Sequence, residues 1–126
     1  MDLRRFARAI ADRTGLTREE SADITWAVLE GLADQLSEGE ARRLAADLPD
    51  VGEQVLPRRR RKVQARPIRL GDFLKQVKER TGLNDNDARA GAGAVLIELR
   101  DALGEEEYGH LVGQLPAEYA GLTEAA

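Results

Sequence analysis

A chain of 126 residues has room for one compact domain or two very small ones, and with 42% apolar but only 4% aromatic residues its core must be built from Leu, Val, Ile and Ala. The absence of cysteine excludes disulfides, thiolate catalysis and cysteine-ligated metal, and one histidine with one methionine leaves little for any other metal site. Charged residues reach 33% for a net charge of −4, and the abundance of Ala, Leu, Glu and Arg reads as a helical protein.

Behind the arginines of Met1–Phe6 no apolar stretch follows, so no signal peptide is expected and the location read from the sequence is cytoplasmic. Leu3, Phe6, Ala7, Ile10 and Ala11 then recur with the spacing of one helical stripe, and Gly15 stands where a left-handed residue would end that helix. Thr17 with Glu20 forms a capping box for a second helix running to about Leu36, with Ile24, Ala27, Val28 and Leu32 on its apolar face. Ser37 with Glu40 makes another box and opens a third helix carrying Ala41, Leu44 and Leu48, which Pro49 breaks before a short turn with Val51 and Val55. After a basic stretch the same succession returns. Leu70, Phe73, Leu74 and Val77 make the stripe, Gly82 the stop, and Asn84 with Asp87 the cap of a helix reaching Leu103. Glu105–Glu107 open a further helix, Pro116 breaks it, and Tyr119 and Leu122 follow in a last turn. The longest apolar run, Ala92 to Ile97, is too short to span a bilayer, and no stretch alternates with period two. The expected fold class is all-α.

The return is a repeat. Shifted without gaps so that Phe6 falls on Phe73, the two halves are identical at 16 of 44 positions up to Pro49 and Pro116. Arg13-Thr14-Gly15-Leu16 falls on Arg80-Thr81-Gly82-Leu83, Ala27-Val28-Leu29 on Ala94-Val95-Leu96, and Leu48-Pro49 on Leu115-Pro116. This divides the chain into a first helical repeat over 1–56, a basic linker bracketed by prolines over 57–69, and a second repeat over 70–126. Each half is near the lower limit for independent folding. Two tandem copies of a three-to-four-helix unit are therefore expected to pack as a pseudo-two-fold helical bundle, one compact domain resembling a fused homodimer. The single tryptophan, Trp26, corresponds to Gly93 within Ala90-Gly91-Ala92-Gly93-Ala94. Glycine in a helix interior costs about 0.5–1 kcal/mol relative to alanine, so Gly91 and Gly93 call for a packing reason. Trp26 lying over this small-residue surface is the expected contact.

The early phenylalanine, the Arg-Thr-Gly-Leu turn, the capped long helix and the closing Leu-Pro, each present twice, resemble the bacterial domain-of-unknown-function family numbered two-two-six-seven. The second copy closes with Gln114-Leu115-Pro116, whereas the first has Asp47 at the glutamine position. The resemblance covers nearly the whole chain and implies a small all-helical prokaryotic protein. It brings no activity, cofactor or catalytic residue.

Charge is the sharpest functional feature. Residues 1–53 carry a net of −5 and residues 72–126 a net of −6, whereas residues 54–71 hold Arg58, Arg59, Arg60, Arg61, Lys62, Arg66 and Arg69 with no acid. These seven are the candidate contacts for a polyanion, whose binding would weaken steeply with salt. No aromatic residue interleaves with them, so base stacking is not offered there. The competing reading is a linker folded back on its own acidic halves. Glu107-x-x-His110 has the spacing of a helix-bundle metal ligand pair, but the copy offers Glu40 and Arg43, and arginine is no ligand. Gly91-Ala92-Gly93 lacks the preceding strand of a dinucleotide site. No nucleophile–base arrangement is evident, and neither a cofactor nor a metal is expected. The sequence thus favours a non-enzymatic module, monomeric or homodimeric, binding an unknown protein partner. The alternative is a nucleic-acid-associated protein using the arginine linker, and the second alternative a small-molecule or lipid sensor binding between the halves. If the tryptophan contact holds, Gly93→Leu lowers the melting temperature strongly, and a calorimetric scan checks it.

Overall fold

The computed structural model describes residues 3–50, 53 and 66–125. Its elements are α1 (Leu3–Thr14), α2 (Arg18–Ala33), α3 (Glu38–Asp47), α4 (Leu70–Thr81), α5 (Asp85–Leu103) and α6 (Glu105–Val112), closed by a 3-10 segment (Ala117–Ala125). Among the described residues there is no strand, and the protein is all-helical. The turn at Val51 and Val55 and most of the linker, including Arg58–Arg61 and Lys62, lie outside the described residues.

Local chemistry accounts for the helix ends. Gly15 and Gly82 have φ of +78° and +75°, the left-handed conformation that glycine adopts without a Cβ clash. Their amides donate back to the carbonyls of Ala11 and Lys78 at 2.9 and 2.8 Å, closing α1 and α4. The preceding threonines support the turns in the same way. The Thr14 hydroxyl donates to the Ile10 carbonyl at 2.7 Å and accepts from the Leu16 amide at 3.2 Å. The Thr81 hydroxyl does the same with Val77 and Leu83, at 2.7 and 3.3 Å. Thr17 and Glu20 make the full capping box on α2. Asn84 caps α5 by accepting from the Asp87 amide at 2.8 Å.

The cap of α3 departs from the expected box. Ser37 accepts from the Glu40 amide at 3.2 Å, but the reciprocal limb comes from the other half of the chain. Gln114 accepts from the Ser37 amide at 2.9 Å, and its own amide lies 3.5 Å from Glu40. A distant glutamine therefore satisfies a donor that a local glutamate was expected to take. The N-termini of α1 and α4 are closed by acids that follow the two prolines. Asp50 accepts from the Leu3 amide at 3.0 Å and Glu118 from the Leu70 amide at 2.6 Å. A carboxylate at a helix N-terminus also meets the positive end of the helix dipole.

Packing is crossed between the halves. Both α1 and α4 lie against α2 and α5, and α2 and α5 touch each other. One core results, running from Phe6 and Ile10 through Ile24, Val28 and Leu32 to Phe73, Val95 and Leu99. The arginine of each Arg-Thr-Gly-Leu turn reaches across. Arg13 pairs with the buried Glu98 of α5 at 2.7 Å, and Arg80 with Glu30 of α2 at 3.2 Å.

α2 is shorter than its apolar period suggested. It ends at Ala33, where the amides of Gln35 and Leu36 bond three residues back, to Leu32 and Ala33. The tightened turn buries Gln35, which is 2% exposed. There its oxygen accepts from the Ile68 amide at 2.8 Å and its nitrogen donates to the Tyr119 hydroxyl at 3.0 Å. Tyr119 completes the ring by donating to the Ile68 carbonyl at 2.6 Å. Its aromatic ring packs on Phe73, with centroids 5.3 Å apart.

Three distant pieces of chain thus meet in one closed polar network. Burial pushes the Tyr119 hydroxyl up to about 12, against the opposing pull of the Gln35 hydrogen bond. The folded protein therefore keeps this proton at a pH where the unfolded chain has released it, and stability declines as pH rises from about 10 to about 12. Tyr119→Phe should cost about 1–3 kcal/mol near neutrality by stranding buried partners. It should also flatten the alkaline decline in urea titrations run at several pH values.

Candidate functional site

On α1, Arg4 and Arg8 stand one turn apart, and so do Leu3 and Ala7. On α2, Arg18, Ala22 and Trp26 recur every fourth residue along one face. Where the two helices pack, these faces enclose a groove of about 780 Å³. Leu3, Ala7, Ala22 and the half-buried Trp26 supply its apolar lining, and Arg4, Arg8 and Arg18 its cations. Among the described residues these three arginines make no hydrogen bond or ion pair, unlike Arg13 and Arg80, which are held by Glu98 and Glu30. Among the described residues Asp50 is the one acid lining the groove, and it accepts from the Leu3 amide at the start of α1. Arg18 occupies the first residue of α2, directly after the capping residue Thr17.

Sequence reasoning missed this cluster. Nothing in the linear order joins the arginines to the aromatic that completes the groove, which lies eight residues beyond the last of them. The available signal was the shared face of Arg18, Ala22 and Trp26. A second signal was the contrast 67 residues on, where Gly71, Lys75, Asp85 and Gly93 stand opposite Arg4, Arg8, Arg18 and Trp26, so that one cation and no tryptophan is kept.

The residues singled out from the sequence are placed as follows. Gly91 and Gly93 are buried within α5. A Cβ on Gly91 would lie 2.2 Å from Ile24 Cδ1, and the three nearest atoms all belong to Ile24. At Gly91 the close approach therefore involves Ile24, its repeat equivalent, whereas Trp26 lines the groove on α1 and α2. Arg66 and Arg69 are exposed and border a shallower groove of about 540 Å³ that also holds Asp72, Lys75 and Glu79. His110 is exposed and Glu107 half-buried on α6. Among the described residues no group of three or more His, Asp or Glu could hold a metal ion. None of the described helices is long and apolar enough to cross a membrane.

A model of uncharacterized conserved proteins matches residues 3–122, from the first residue of α1 into the 3-10 segment. The chain belongs to that family, DUF2267. Among curated proteins, none matches it. In this DUF2267 chain the paired turns have structural roles: threonine and glycine end α1 and α4, and the arginines tie them to α5 and α2. The Gln-Leu-Pro close likewise caps α3 through Gln114. Those motifs are occupied by folding, whereas Arg4, Arg8 and Arg18 make no hydrogen bond or ion pair among the described residues. Gly91→Ala should destabilise by about 1–3 kcal/mol through overpacking, a balance that already includes alanine's better helix propensity. Ile24→Val removes the offending methyl, so the double variant should lose less than the two single losses combined in denaturant titrations.

Proposed function

We propose that this protein is a non-enzymatic helical module that binds a negatively charged macromolecule. The observation carrying this reading is the groove in which Arg4, Arg8 and Arg18 converge beside Trp26. Arginine and tryptophan are the side chains that most often dominate binding surfaces, because both combine large contact area with directional or electrostatic attraction. The basic segment adds to it. Seven residues after Asp50, at the edge of the groove, the chain enters a proline-bracketed run with Arg58–Arg61 and Lys62. Both features attract the same sign of charge, on a chain whose remaining surface is acidic and would repel unspecific polyanions.

The module is read as two copies of one helical unit related by a pseudo-two-fold, working in the cytoplasm. Supporting this are the matched turns at Gly15 and Gly82, the paired acids Asp50 and Glu118, and the reciprocal contacts of α1 with α5 and α4 with α2. On this reading the duplicated residues hold the fold. The diverged ones, Arg4, Arg18 and Trp26 among them, bind.

Binding of a labelled polyanion across a salt series tests the reading. Wild type should bind at low salt and weaken as salt rises. A variant with glutamine at Arg4, Arg8 and Arg18 should bind far more weakly, its log–log salt slope shallower by about two for a single strand. Glutamine at Arg58–Arg61 and Lys62 should flatten the slope separately. Unchanged binding by the groove variant overturns the assignment.

A further inference from the structure

We propose that the groove between α1 and α2 is a site for single-stranded nucleic acid, with a base stacked against Trp26 and backbone phosphates held by Arg4, Arg8 and Arg18. This rests on the anionic-partner reading above and specifies the partner's chemistry. Guanidinium groups match phosphate oxygens with two parallel N–H donors, and Arg4 and Arg8, one helical turn apart, stand about 5–6 Å from each other at Cβ. Arg18 faces them from the start of α2, across the groove that all three line. Trp26 lies two turns along the same helix, about 12 Å from Arg18 at 1.5 Å per residue. A flexible strand can bridge that distance with a phosphate at one end and an exposed base at the other.

The apolar lining of Leu3, Ala7 and Ala22 suits a flat base and offers no hydrogen-bonding group from its side chains to read a base edge. Binding is therefore tolerant of sequence. A duplex keeps its bases stacked on one another and has none to give Trp26. An acidic peptide would engage the arginines but would place no planar ring on the indole by virtue of its charge. The sequence set the arginine linker apart from any aromatic residue; the fold supplies the missing aromatic beside a different set of arginines.

Because Trp26 is the single tryptophan, its fluorescence reports on the site directly. The full chain is titrated with oligothymidylate of about ten nucleotides, with the same strand annealed to oligoadenylate, and with polyglutamate of similar length. A saturable change in tryptophan emission with the single strand, reversed by salt and much smaller with the other two probes, is the expected result. Labelled-strand anisotropy should show Trp26→Leu binding about 5- to 150-fold more weakly, with Trp26→Phe recovering part of the loss. Circular dichroism identifies a variant that has failed to fold, and the wild-type titrations stand without any variant.

Duplex bound as tightly as the single strand, with no change in emission, overturns the stacking site while the anionic-partner reading stands. A polyglutamate response equal to that of the strand also overturns it, in favour of an acidic protein. Absence of binding by all three probes at low salt overturns both readings.

Discussion

The approach of α2 to α5 sets the spacing of everything else. Ile24 sits where a side chain at position 91 would project, so the two longest helices meet closer than a pair of ordinary side chains would allow. Both α1 and α4 rest on this pair, and their depth in the core follows from it. Phe73 repeats the device nearby, lying 2.6 Å from where a Cβ on Gly31 would stand. Interiors packed at this density have no slack to absorb an added methyl. The helix propensity given up at glycine is therefore returned as burial of Ile24 and Phe73, each fully enclosed.

Much of this was legible from the chain alone, for a physical reason. Capping threonines, left-handed glycines and apolar periods act over four or five residues, so Thr17, Gly15, Gly82 and Asn84 announce helix ends wherever they occur. At Gly91 the close neighbour is Ile24, a contact that the glycine in the helix pattern announced only as a need for space. Polar partnerships were out of reach. Nothing local tells Gln114 to cap α3, or Gln35 to meet Ile68 and Tyr119 across separations of 33 and 84 residues. The groove was hidden for the same reason. Arg4, Arg8 and Trp26 share a surface only because α1 folds back on α2.

The two halves contribute different residues. The second half contributes Tyr119 and Gln114, which reach into the first half and lock its helix ends. The first contributes the cationic groove, for which the second has Gly71, Lys75, Asp85 and Gly93 instead. At Asp85 the carboxylate is hydrogen-bonded to Lys78, which holds it below the usual carboxylate range. The polar contacts that join the halves thus leave the groove between α1 and α2 on a different part of the surface.

The ring of Gln35, Ile68 and Tyr119 also has a consequence for synthesis. A chain made from its N-terminus can form α1 and α2 and their mutual contact while the rest is still being translated. Gln35, however, has neither of its partners until Ile68 and then Tyr119 have emerged from the ribosome. The same holds for the Ser37 amide, which waits for Gln114. These contacts therefore form only after Gln114 and Tyr119 have been made.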